Sequence, residues 1–255
     1  MLFRSNKLNL HPQITITMGR AFEYRKEKKF KRWDAMAKNF TRIGREIAIA
    51  VKNGGPNPDT NPKLRLAIQN AKSVSMPKDR VDSAIKRASS KEEGTFEEVV
   101  YEGIGPGGIA LMVECATDNT TRTVANVRLL FSRGGGALGT SGSVGYLFDR
   151  KGIFKIEASK INLDELELDL IDAGAEDIYE EEGVVYVEVT FNDFGTMQKA
   201  LEDRNMEVTS AAIEWIPTST KKLGDTEVEQ VIKLIDRLEE DDDVLNVFHT
   251  MDMSE

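Results

Sequence analysis

Apolar residues recur at spacings of three and four through residues 20–90. Beyond them the pattern changes to short strands interleaved with helices. Trp33, Met36, Ala37, Phe40, Ile43, Ile47 and Ala50 fall on one stripe, which predicts a helix over 20–52 with one break. Asn53-Gly54-Gly55-Pro56 ends it, and Asn61-Pro62 starts a second helix with proline at its first position. The inward face of that helix is Leu64, Ala67, Ile68 and Ala71. Met76-Pro77 opens a third helix, facing inward through Val81, Ala84, Ile85 and Ala88. Short links between the three predict a small bundle ending near Ser90.

Strands follow. Residues 98–102 and 109–116 flank the turn cluster Gly103-Ile104-Gly105-Pro106-Gly107-Gly108 and predict a β-hairpin. A helix over 121–133 comes next, with Val124, Val127 and Phe131 inward and Gly134 past its end. The glycine-rich stretch 134–145 leads to a strand at 153–157 and a helix at 163–173. A hairpin of 176–179 with 184–190, a helix over 193–204 and a strand over 207–215 complete the order βαββαβ, that of a ferredoxin-like domain. Thr226 and Glu229 are spaced as a capping box for one more helix, and a strand from Val244 to His249 closes the pattern. That last αβ pair cannot form a domain alone, but it completes the ββα unit of 96–133.

The expected fold is therefore α+β: an N-terminal three-helix domain followed by two α/β domains, the last a ferredoxin-like βαββαβ inserted into the middle one. Its boundaries are a leader or mis-assigned start at 1–17, a basic helical domain at 18–91, a discontinuous middle domain at 92–150 plus 217–255, and the insert at 151–216. The acidic runs Glu180-Glu181-Glu182 and 239–243 read as solvated faces and loops.

Charge changes this picture. The whole chain carries a net charge of -9, which on average speaks against a polyanionic partner. Residues 18–91, however, hold 19 Lys and Arg against 7 Asp and Glu, whereas residues 92–255 hold 13 against 36. So sharp a split points to nucleic acid or another anionic surface as the partner of the basic part. The competing reading is a basic bundle docked on its own acidic neighbour. One cysteine, Cys115, rules out an internal disulfide and suits a reducing, cytoplasmic setting, and no apolar run is long enough to span a membrane. The first 17 residues lack the apolar core of a secretory signal.

Catalytic patterns are weak. Gly134-x-Gly136-x-x-Gly139 matches a dinucleotide-binding spacing, but it follows a helix and precedes a strand, the reverse of the order that aims backbone amides at a pyrophosphate. His11, His249 and Cys115 are too few for a zinc site, and Cys115 sits mid-strand as an inert thiol. No enzyme, cofactor or metal is expected.

The basic helices carry the functional expectation. Arg25, Lys28, Lys29 and Arg32 lie along one helix face, with Arg20, Lys26 and Lys31 beside them; Lys38, Arg42 and Arg45 continue the charge. Lys63, Arg65, Lys72, Lys78, Arg80, Lys86 and Arg87 lie off the apolar stripes of the second and third helices. Flexible cationic stems neutralise phosphates without a precise fit, so such a surface favours affinity over sequence choice. Phe22, Tyr24 and Phe30, among these bases, can stack on unpaired bases or serve the core. Near the later helix start, Asn119, Arg122 and Arg128 are candidates either for a phosphate contact or for a contact between domains.

Several blocks resemble the YebC family of regulators, which includes a mitochondrial translational activator. They are Asn61-Pro62-Lys63-Leu64-Arg65, Met76-Pro77-Lys78-Asp79, Ala84-Ile85-Lys86-Arg87, Tyr101-Glu102-Gly103, Ala116-Thr117-Asp118-Asn119, 122–128 and Gly142-Ser143-Val144-Gly145. The resemblance runs from about Gly19 to the C-terminus. It implies three domains with the third inserted, no catalytic activity, and either DNA-binding transcriptional regulation or a ribosome-associated role on RNA. It departs at the opening, Gly19-Arg20-Ala21-Phe22-Glu23, which keeps charge but not the family's His and Trp placement. The partners expected are DNA or ribosomal RNA for the basic helices, and ribosomal or other proteins for the acidic domains; a pure protein–protein adaptor is the alternative.

Overall fold

The computed structural model describes residues 18–90, 96–160 and 162–253, with side chains described from residue 36 onward except those of 160 and 163–165. Residues 1–17, read above as a leader, lie outside the described residues. The chain divides into two units, Met1–Lys38 and Asn39–Glu255. A single helix, α1, is assigned over Met18–Gly54, where the sequence pattern suggested a break. Its one internal glycine in the second unit, Gly44, costs only about 1 kcal/mol against alanine and does not interrupt it.

Within Asn39–Glu255, α1 packs with α2 (Pro62–Ser73) and α3 (Lys78–Ser89) through Ile43, Ile47, Val51, Leu64, Ala67, Ala71, Val81, Ala84 and Ala88. These are the apolar positions spaced three and four apart, so the helical period decides the core. Asn61 makes the turn between α1 and α2. Its side-chain oxygen accepts from the Leu64 amide at 3.1 Å as an N-cap, and its amide group donates to the carbonyls of Ala50 at 2.7 Å and Gly55 at 2.8 Å. At 3% exposed, it leaves three backbone groups short of a partner if truncated. Asn61→Ala is expected to lower stability by about 2 kcal/mol, read as a shift in urea midpoint with unchanged slope.

Two four-stranded antiparallel sheets follow. The first has the order β3-β1-β2-β8, from β1 (Glu97–Ile104), β2 (Ala110–Thr117), β3 (Ala137–Leu138) and β8 (Val244–His249). Helices α4 (Thr120–Arg133) and α7 (Asp225–Glu239) cover one face, where Val127, Phe131, Val231, Leu234 and Leu238 bury against Leu111, Val113 and Cys115. The second sheet has the order β5-β6-β4-β7, from β4 (Phe148–Glu157), β5 (Ala175–Glu181), β6 (Val184–Thr190) and β7 (Val208–Pro217), with α5 (Leu163–Asp172) and α6 (Phe194–Asp203) between strands. The fold is α+β, and the second sheet has the ferredoxin-like order with its first strand central.

Some boundaries differ from the pattern reading. β4 begins at Phe148 rather than 153, because its first half pairs with β7 across Phe148↔Pro217 to Gly152↔Ile213. The two-residue strand β3 lies in what reads as a plain glycine-rich loop. The last helix starts earlier than the Thr226/Glu229 capping box: Gly224 is its N-cap, and Glu227 accepts from the Gly224 amide at 3.4 Å. Glycine has no side-chain oxygen to return, so only half of a capping box exists.

β7 is a sheet edge, and an exposed edge invites pairing with another chain. Here α2 covers it. Asn70 donates to the Ala211 carbonyl at 2.9 Å and accepts from the Ala211 amide at 3.2 Å, as a neighbouring strand would, and Gln69 donates to the Val208 carbonyl.

Candidate nucleic-acid interface

Arg20, Arg25, Lys26, Lys28, Lys29, Lys31 and Arg32 lie on α1, but their side chains are outside the described residues, as are those of Phe22, Tyr24 and Phe30. The remaining candidates separate into two groups. Lys38, Lys63, Lys78, Lys86 and Arg87 are exposed, as are Lys72 and Arg80. Among the described residues none of these seven has a carboxylate within ion-pair distance. On α3, Arg80, Ser83 and Arg87 follow each other at intervals of three and four and line the same groove against α1.

The second group is spent inside the protein. Arg65 donates to the carbonyls of Pro58 at 2.9 Å and Asp59 at 3.0 Å and pairs with Glu202 at 3.4 Å. Arg45 donates to the Ala116 carbonyl at 2.7 Å and pairs with Asp243 at 3.0 Å. Arg42 acts electrostatically on Glu46. Arg122 lies 2.8 Å from Asp243 and 2.9 Å from Asp118, while Asn119 caps α4 by accepting from the Arg122 amide at 3.0 Å. Arg128 is exposed, on the solvent side of α4.

Asp243 is the centre of this second group. It is 3% exposed and receives Arg45, both contacts of Arg122, and the hydroxyls of Thr117 at 3.1 Å and Thr123 at 2.7 Å. Burial pushes its pKa up, but the hydrogen bonds from Thr123 and Arg122 and the charge of Arg45 outweigh that and hold it below the usual carboxylate range. The run 239–243 therefore is not wholly a solvated loop: its last residue ties α1, β2 and α4 together. Sequence gives no signal for this, since five adjacent acids look alike.

The glycine loop after α4 likewise closes on a carboxylate from its own chain. Glu102, 8% exposed, accepts from the amides of Gly142 at 2.6 Å, Val144 at 2.8 Å and Gly145 at 2.7 Å. Burial raises its pKa, but these backbone donors prevail and lower it. The amides of Gly134, Gly136 and Gly139 donate to the backbone carbonyls of Leu130, Phe131 and Glu102, so none is left to face a phosphate.

A perturbed carboxylate group, for which sequence offered no candidate, lines a cavity of about 220 Å³ bounded by α1, α2, β1, β2 and β7. Glu46 is raised to about 7 by burial, opposed by Arg42 and reinforced by Glu114 and Glu98. Glu114 is raised by burial although its oxygens accept from Trp215 Nε1 at 2.8 Å and Asn246 Nδ2 at 3.1 Å. The cavity is smaller than the roughly 300–1,000 Å³ of small-ligand sites, and Glu114 is committed to joining β7 and β8 to β2. Among the described residues no cluster of His, Cys, Asp and Glu could hold a metal ion. Cys115, 1% exposed, is pushed up to about 12 chiefly by burial, so it stays a neutral thiol.

Glu46 has a folded pKa above its unfolded value, so its contribution to stability is complete below about pH 4.5 and is lost as pH rises through 7. Glu46→Gln should therefore gain roughly 2–3 kcal/mol relative to the parent between pH 5 and pH 8. Urea unfolding at the two pH values measures this; an unchanged difference means the cavity is wetter than the geometry implies.

No described helix is long and apolar enough to cross a membrane. Comparison with known proteins places this architecture. Residues 20–91 match the model of the TACO1/YebC protein N-terminal domain, and residues 96–251 match that of the TACO1/YebC second and third domain. The chain is 56% identical over 234 residues to a probable transcriptional regulatory protein of Cytophaga hutchinsonii, covering 92% of this chain and 98% of that one. A Flavobacterium johnsoniae protein of the same description is 52% identical over 234 residues, covering 92% and 99%. The crystal structure of a conserved hypothetical protein, Aq1575, from Aquifex aeolicus superposes with a TM-score of 0.75 at 40% identity, covering 86% of this chain and 91% of that one.

Proposed function

Because the chain belongs to the TACO1/YebC family, whose relatives are named probable transcriptional regulatory proteins, we propose that it is a non-catalytic regulator of gene expression that binds nucleic acid through residues 18–91. The observation that carries this reading is the set of exposed cations on α2 and α3 that have no ion-pair partner among the described residues: Lys63, Lys72, Lys78, Arg80, Lys86 and Arg87. If the basic helices existed only to dock on the acidic remainder, these side chains would meet its carboxylates. Arg45 and Arg65 do so, and among the described residues the α3 cations do not. Their mutual repulsion is relieved by a polyanion, and each phosphate they neutralise releases condensed counterions.

In this reading the parts divided at 92–150 with 217–255, and at 151–216, hold the cationic helices in place and present acidic faces to a second partner such as a ribosomal protein or polymerase. Titrating full-length protein against duplex DNA and ribosomal RNA fragments across a salt series tests it. A steep linear fall of log affinity with log salt is the expected result, whereas a flat dependence points to a protein–protein adaptor. Crosslinking in cells then distinguishes the levels of action: reads on promoters mean transcription, and reads on ribosomal RNA mean translation.

A further inference from the structure

Between α1 and α3 lies a groove of about 510 Å³ lined by Phe40, Thr41, Arg45, Met76, Arg80, Ser83, Arg87 and Phe96, with Gly44, Ala48 and Ala84 at its base. Among the described residues no carboxylate lines it. Two aromatic rings carry guanidinium groups: Arg80 sits 5.6 Å from the centroid of Phe40, and Arg45 5.3 Å from that of Phe96. Arg45 is already neutralised by Asp243 at 3.0 Å, so the unopposed charge comes from Arg80 and Arg87. The pattern stripe placed Phe40 in the core, but the structure leaves it partly buried at the groove wall.

We propose that this groove is a subsite for one unpaired nucleotide of a polynucleotide strand, the base entering against Phe40 and Phe96 and the adjoining phosphate meeting Arg80 and Arg87. The inference rests on the nucleic-acid reading above and specifies the form of the ligand. Three features select it. A groove walled by two aromatic rings offers a stacking face to any base, and guanidinium groups over those rings add a second stacking surface. Both rings are partly buried in the groove instead of projecting, so a base must leave its helix to reach them; a base held in a duplex cannot. Arg80 and Arg87, seven residues apart on one face of α3, present two guanidinium groups side by side for the adjoining phosphate. An acidic peptide would satisfy the arginines but gain nothing from two aromatic walls.

The test uses the full chain, a labelled single-stranded oligonucleotide carrying 2-aminopurine, and a hairpin duplex of the same sequence. Expected are at least about tenfold tighter binding of the single strand, quenching of 2-aminopurine emission on binding, and loss of both in Phe40→Leu, with a weakening of about five- to a hundredfold. Phe40→Tyr should retain them, and its retention decides the matter if Phe40→Leu fails to fold. Equal affinity for strand and duplex with unquenched emission overturns the subsite while leaving the cationic interface standing. Competition by polyglutamate as effective as by the oligonucleotide overturns it in favour of an acidic peptide. Binding of neither strand nor duplex defeats the nucleic-acid reading itself, and the subsite with it.

Discussion

Asp243→Ala lowers the unfolding free energy by about 3–5 kcal/mol, the expected size for removing one partner from a buried charge cluster. The substitution strands Arg45, whose side chain is 14% exposed, beside the Ala116 carbonyl without a counter-charge. It also removes the buried carboxylate that accepts from the Thr117 and Thr123 hydroxyls, leaving Thr123 the Asn119 carbonyl and Thr117 only the Thr123 oxygen. Asp243→Asn is the informative companion. It is nearly the same size but has one acceptor oxygen and no charge, so it should recover only a minor part of the loss. The acid limb of the stability curve gives an independent check. Asp243 titrates below its unfolded value, so its contribution is present above about pH 3.9 and disappears as pH falls through the folded pKa. In Asp243→Ala that part of the acid sensitivity should be missing. If urea unfolding of Asp243→Ala matches the parent within about 0.5 kcal/mol, the cluster is a surface ornament.

Converting Lys78, Arg80, Lys86 and Arg87 together to glutamine should weaken polynucleotide binding by at least about a hundredfold near 0.1 M salt. The salt slope should shrink by about one unit for each residue that contacts a phosphate. All four are exposed, so thermal stability should stay within about 0.5 kcal/mol of the parent for each change. That separation of binding from folding gives the experiment its force. A variant that binds as tightly, with the same slope, moves the interface off α3 altogether. The same four changes should leave the Asp243 cluster untouched, because none of its members lies on α3.

Much of the architecture could be read from the residues because its cues are local. Asn61-Pro62 and Asn53-Gly54-Gly55-Pro56 bound helices through backbone chemistry that acts within a few residues, and Leu64, Ala67 and Ala71 mark a buried face by spacing alone. The ferredoxin-like insert was legible for the same reason: each strand and helix announces itself, and their order restricts the topology. What stayed hidden depends on distant partners. Asp243 is one of five consecutive acids, and only a partner 121 residues away, Arg122, distinguishes it. Arg45 and Arg87 are equally basic on paper, yet one meets Ala116 and Asp243 while the other faces an open groove. Phe40 fits a helical core stripe, and no periodicity shows that Arg80 covers its ring. β3, two residues long, is created by its pairing with β1 and has no pattern of its own.

The strand that fills the free side of β2 is β8, joined from Leu111↔His249 to Glu114↔Asn246. Asp243, which locks α1 and α4, stands at its head, 121 residues after Arg122. During synthesis at about 5–20 residues per second, β1, β2 and α4 must wait on the order of ten seconds for these last pieces. Through that interval the apolar row Leu111, Val113 and Cys115 and one side of a ladder are unfinished, while β4 to β7, contiguous in sequence, can already close. A nascent chain stalled before Val244 should accordingly carry a folded ferredoxin-like unit beside an adhesive half-sheet. Such an intermediate is a natural client for a holdase at the exit tunnel.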